Sequence, residues 1–482
     1  MPASQKIITK LRERRQIEAR LRQMLTASSE LEFQRQAQRI ASLGSQVIPT
    51  IVGNLDRADA RLLTAMGTVA TFLDHNQVTT ALHQAVLQPQ RTDRARIGAM
   101  TILERFLGQP PDDALLASMT DPEGTAIDSL RELLARAEAN PALKIEYIQG
   151  MDRQEPDAVL AVVRTLRDVG GPQGIEILRM MAQDVRDEIA AEALQALGTI
   201  RLPEAARAVQ TLIPVSGPAL RPLAERALRK LQLAGVMVET LPPPPGESRA
   251  LVSAVDGLGR QNVWFIIQSP TASHARFLNI MLGDRAGAVE AVGHSQVPII
   301  LLPTRQPEGT MHDVALPDAS GALLMLEVPF DLGRRLVLES LANNRETQIP
   351  IAGALRLLGP WLWEYSGADS LPARNLPKAP LEGKASVSQL LDHPAFATWT
   401  LRNEAILRAA EEVTRRPQWD MELWIRRLAA ELFAEPAAAQ ALHRRLTAMS
   451  EWLLLAGDET RSQIALASAD QFLEENPCLL YT

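Results

Sequence analysis

The chain has 482 residues, enough for two to four ordinary domains, because single cores stop growing at roughly 250–300 residues. Its 46% apolar and 22% charged composition excludes a disordered chain, and no apolar run approaches the roughly 20 residues that span a bilayer. A net charge of −7 and a pI near 5.7 argue against general affinity for nucleic acid or anionic lipid. The lone Cys478 rules out an internal disulfide or a cysteine zinc cluster and fits a reducing compartment. The start, MPASQKIITKLRERR, has no apolar signal core, so a cytoplasmic location is expected.

Residues 5–25 predict one amphipathic helix, with Ile7, Ile8, Leu11, Ile17, Leu21, Met24 and Leu25 on its apolar stripe. Its basic face reads as the solvated side of a helix that caps a helical stack. Ser29-x-x-Glu32 is a capping box that opens the next helix. From there to residue 240 the chain repeats loosely. Helices end on an apolar residue and glycine at Leu43-Gly44, Met66-Gly67, Leu107-Gly108, Val169-Gly170 and Leu197-Gly198, where glycine can supply a left-handed cap.

The clearest repeat is 188–213, with Ile189, Ala193, Leu194 and Leu197 on one helix face. Pro203 begins its second helix, whose stripe is Ala206, Val209 and Leu212. Residues 159–184 form a weaker copy. Ala190 to Gly198, the short turn and Pro203 to Leu212 resemble the HEAT-like repeat family, in the short subtype also found in phycobilin lyases. That resemblance covers roughly residues 30–235 and implies an α-solenoid over 1–240. It carries no catalytic residue onto this chain. The aromatic content agrees, since all seven Trp lie at or beyond Trp264 and small side chains dominate before it.

Leu241 to Gly246 contains four consecutive prolines, so 241–249 is expected to be a stiff linker. After it, 250–255, 262–268, 275–282, 288–293, 297–303 and 322–328 are strand candidates. Gly283 to Gly287 suits a hairpin turn, and 331–344 and 350–364 suit helices, giving an α+β domain over 250–370. Residues 371–386 read as a second linker and 387–482 as a helical C-terminal region, where Leu442, Leu446, Met449, Trp452 and Leu453 form a stripe. The expected fold class is therefore mainly α, a HEAT-like solenoid followed by a small α+β domain and further helices.

The chain carries no phosphate loop. Gly257-Leu258-Gly259-Arg260 lacks the third glycine of a dinucleotide loop, and Ser295 lacks the elbow glycine of a hydrolase. Its seven histidines are scattered, and no His-Glu dipeptide supports a helical metal site. His312, Asp313 and Asp318 are an alternative cation loop, weighed against ordinary turn chemistry. The expectation is a non-catalytic protein–protein scaffold without cofactor or metal. Neither a membrane, a nucleic acid nor a small molecule is the expected partner. Candidate contact residues are Arg91, Arg94, Arg96, Arg226, Arg229 and Lys230 on solenoid helices, and Trp361 and Trp363 in the later domain. Bilin handling by repeat analogy, and nucleic-acid binding through the arginines, are the alternatives.

Overall fold

The computed structural model describes residues 3–27, 29–109, 119–315, 322–378, 387–399 and 436–471. The chain is mainly helical with one six-stranded antiparallel sheet. It divides into two units, 1–132 and 133–482.

In the first unit, short polar side chains start the helices. Ser29 caps α2 (Glu30–Ala41), its hydroxyl accepting from Glu32 N at 3.2 Å. Asp59 caps α4 (Ala60–Thr71), Asp74 caps α5 (His75–Leu87), and Thr92 caps α6 (Asp93–Thr101). Each such cap stabilises its helix by about 1 kcal/mol. Ile17, Leu21 and Met24 of α1 (Ala3–Met24) are buried with Ile51 of α3 (Ile48–Asn54), Met66 and Leu82, as the stripe predicts.

Two glycines differ from expectation. Gly67 does not end a helix but lies inside α4, where a Cβ would stand 2.4 Å from the Phe106 ring. Close helix approach, rather than a turn, requires it. Gly198 follows α11 (Asp187–Leu197) in right-handed geometry, φ −66°, and a Cβ there would meet that of Ala227 at 2.9 Å.

The division between units falls inside α7 (Pro122–Ala139). In the second unit, α8 (Ala142–Met151), α9 (Pro156–Val169), α10 (Gly171–Met181), α11, α12 (Pro203–Leu212) and α13 (Gly217–Leu233) follow in short steps. From α9 onward each packs on the next, and α9 also meets α11, α10 meets α12, and α11 meets α13. The expected stripe of 188–213 is buried throughout.

The sheet order is β4-β3-β2-β1-β6-β5, from β1 (Arg249–Ser253), β2 (Arg260–Ile267), β3 (His274–Gly283), β4 (Gly287–Pro298), β5 (Met311–Ala315) and β6 (Ala322–Pro329). One strand expectation changes. The 297–303 segment is the end of β4 and a 3₁₀ turn at Ile299–Leu301 between Pro298 and Pro303, while β5 replaces it in the sheet. Gly333 lets α14 (Phe330–Thr347) lie close against the sheet, since a Cβ would stand 2.8 Å from Ala250 Cβ and from Phe265 Cε1.

The polyproline segment marks the change from helix to strand, yet both sides of it belong to the second unit. Buried donors tie them together. Arg179 of α10 donates to the carbonyls of Arg356 (2.7 Å) and Leu357 (3.0 Å), at the end of α15 (Gly353–Leu358). Arg356 stands 3.0 Å from Asp152, and Arg345 donates to Val215 O at 3.0 Å. The segment itself is held where Ser366 N donates to Pro242 O at 2.8 Å.

The C-terminal helices also dock on the sheet module. Leu446, Met449, Trp452 and Leu453 of α18 (Pro436–Leu455) are buried, and Trp452 Nε1 donates to Val252 O at 3.0 Å. Asp458 caps α19 (Glu459–Gln471) through Arg461 N at 3.0 Å. The short α17 (Ser388–Leu391) packs against α19.

Candidate functional site

A groove of about 640 Å³ opens in the second unit. Its walls are α10, α12, the Met237–Glu239 stretch after α13, and the short α16 (Pro360–Trp363) with Glu364. Pro172, Pro203 and Pro360 occupy first turns, where a missing N–H costs nothing, so three helices begin at the groove. Ile175, Ala208 and Met237 supply apolar surface, and Met237 is 71% exposed.

Its charges are arranged by depth. Arg179 is buried with both terminal nitrogens on carbonyls, and burial pulls its pKa down to about 10. Arg207 donates to Glu364 O at 3.2 Å. Glu176 holds Lys144, and Glu364 holds Arg276. Glu204 and Glu239 stand exposed at the mouth.

None of the eight residues singled out from sequence lines this groove. Arg91 pairs with Asp56 at 2.6 Å, and Arg94 with Glu132 at 2.8 Å and Ala58 O at 3.0 Å. Arg96 is buried on Asp93 (2.6 Å) and on the carbonyls of Val86 and Gln88. Burial works to raise the Asp93 carboxyl, but the amides of Asp121 and Thr120, together with Arg96, hold its pKa at about 2. All three arginines therefore have structural partners. Arg226, Arg229 and Lys230 lie exposed on the last turns of α13, where Arg226 donates to Pro222 O of its own helix. Trp363 is 2% exposed beneath Arg334, and half-buried Trp361 lies beneath Arg276.

The sequence carries one signal for the groove: Pro172 and Pro203 each fall in the first turn of a helix that lines it.

A second polar centre lies on the sheet. Glu327 of β6 sits between Arg249 Nε of β1 (2.8 Å) and His312 Nε2 of β5 (2.9 Å). Burial raises the Glu327 pKa against the opposing pull of Arg249 and His312. Register pairs His312 with Met325 and Asp313 with Leu324, so the two side chains leave opposite sheet faces. The His312/Asp313 cation loop is thus not assembled, and Asp318 lies outside the described residues. Among the described residues, no three potential metal ligands cluster, and no helix is long and apolar enough to cross a membrane.

Comparison with known proteins adds no identity: no family model, curated protein or solved structure matches this chain.

Proposed function

We propose that this protein is a non-catalytic scaffold whose helices 133–233 stack as a HEAT-like solenoid, with the groove beside α10 and α12 holding a protein segment. The observation that carries the reading is the groove itself, an apolar strip with exposed Met237 and an acidic mouth at Glu204 and Glu239. The packing of helices on neighbours one and two places along supports the solenoid, since such local stacking is how repeats bury their stripes. The chemistry fits a segment that presents an apolar side chain flanked by lysine or arginine. The nucleic-acid alternative is weakened because Arg91, Arg94 and Arg96 are engaged internally.

The test uses full-length protein and the double variant Met237→Arg/Glu204→Arg as parallel baits, both changes being at exposed positions. A protein retained stoichiometrically by the wild type and lost by the variant supports the groove. Equal retention by both baits, after circular dichroism has shown both folded, sinks it.

A further inference from the structure

β4 is an edge strand of 12 residues, paired on one side with β3. Its outer side is closed at the start, where Ala288 N donates to Asn344 Oδ1 at 2.7 Å and Ala288 O accepts from Ala352 N at 3.4 Å. From Glu290 to Gln296, no backbone hydrogen bond joins the strand to anything outside the sheet among the described residues. Open edges are where sheets join other chains, and lysine or proline on the edge is a common guard against it. β4 has neither before Pro298.

The register narrows the usable edge. Irregularities in the β3–β4 ladder bracket a regular stretch from Glu290 to His294. Alternation puts Glu290, Val292 and His294 on one face, all three exposed, Val292 by 45%. On the other face Ala291 is buried, and Gly293 lies close to Leu358 and Trp361, so helices back the stretch. Glu290 and His294 have no hydrogen-bond or ion-pair partner among the described residues.

This spacing is self-complementary. A two-fold axis through Val292 sets an antiparallel second copy so that residues equally far from Val292 face each other. Glu290 then faces His294 of the partner subunit, and His294 faces the partner's Glu290. An imidazole donates to a carboxylate in either protonation state, and the two valines meet on the axis as a β-branched pair. Other registers are worse. An axis through Glu290 or His294 sets like groups opposite, and one through Ala291 or Gly293 sets one of the polar groups on valine.

We propose that β4 pairs with β4 of a second copy of this chain, antiparallel about Val292, joining the two six-stranded sheets into one. No residue of β4 lines the groove, so this surface is independent of it. A contact this short belongs with the small interfaces, below about 1,200 Å² in total, and the expected dissociation constant is about 1–100 µM.

Sedimentation equilibrium of the full chain from about 1 to 300 µM tests the proposal, since it spans that range. The mass is expected to rise from 52.8 kDa toward twice that value. His294→Glu sets carboxylates opposite each other at both symmetric positions and is expected to weaken association about 10-fold or more. Glu290→Lys/His294→Glu restores opposite charges and is expected to recover it. Val292→Lys sets two like charges on the axis and is expected to leave a monomer. All these positions are exposed, and circular dichroism checks that each variant is folded. A wild type that stays monomeric throughout overturns the proposal and leaves the edge to an extended segment of another protein. A dimer that folded Val292→Lys does not weaken, or a charge-swapped double variant no better than His294→Glu, overturns it as well.

Discussion

Arg356 gives the sharpest test of how the second unit is held together. It is 1% exposed, stands 3.0 Å from Asp152, and donates from Nε to Ile351 O at 3.1 Å. Arg356→Met keeps the stem and removes the charge. Burial already raises the Asp152 pKa, and Arg356 is the foremost group opposing that rise. Breaking a buried pair costs about 3–5 kcal/mol, because one charge stays behind in a poor solvent. Arg186 remains as a second cation for Asp152, which places the loss near the lower end. The Ile351 carbonyl also loses a donor, about 1 kcal/mol more. A total of roughly 4 kcal/mol, at about 2 °C per kcal/mol for a unit this large, predicts a melting temperature lower by about 8 °C. Arg356→Met/Asp152→Leu removes both charges of the pair and is expected to recover most of that loss. Asp152 in the single variant has its pKa raised further above the unfolded value. The deficit should therefore shrink as pH falls and the carboxyl is protonated in both states. Urea and thermal denaturation of the four proteins of the cycle measure this. A single variant within about 1 kcal/mol of wild type, or a double variant no better than the single, refutes the reasoning.

Asp93→Asn tests the first unit. The native carboxyl titrates near 2, below the ordinary aspartate value of 3.8, so its contribution is present above that ordinary value and lost as pH falls through about 2. The variant should be about 2 kcal/mol less stable at neutral pH and indistinguishable from wild type in strong acid, as read by circular dichroism. Gly333→Val forces branched carbons into the contacts with Ala250 and Phe265 and should cost at least about 1–3 kcal/mol by denaturant titration.

Local patterns were legible where neighbouring residues determine the outcome. The stripe of 188–213 and the Ser29 cap depend on spacing within one or two turns, and they appear as read. Features that failed depend on partners distant in sequence. Gly67 looks like a helix end in sequence because nothing nearby announces Phe106. Arg91 and Arg94 look free because Asp56 and Glu132 lie far along the chain, whereas Arg96 is held by Asp93 only three residues away. The VPIILLP run has strand composition, but prolines bracket its exposed Ile300 and Leu301 and turn the chain. The shorter MHDVA strand has no alternating apolar pattern and is held by its ladder with β6. The groove is hidden for the same reason, since α16 reaches α12 from far along the sequence.

The same buried arginines account for the groove's chemistry. A guanidinium only donates, and the last carbonyls of a helix only accept, so arginine suits the seam between the helix stack and the sheet module. Arg179 and Arg207 are therefore turned inward onto Leu357 O and Glu364 O, which holds α16 opposite α12 and keeps the groove's two walls apart. Of the carboxylates near the seam, Asp152 is taken up by Arg356 and Glu364 by Arg276. Glu204 and Glu239 are left facing solvent at the mouth. The acidity offered to a partner thus follows from which way the opposite charges point, more than from the chain's modest net charge. By this argument, removing Arg207 should disturb the position of α16 before it changes the charge at the mouth.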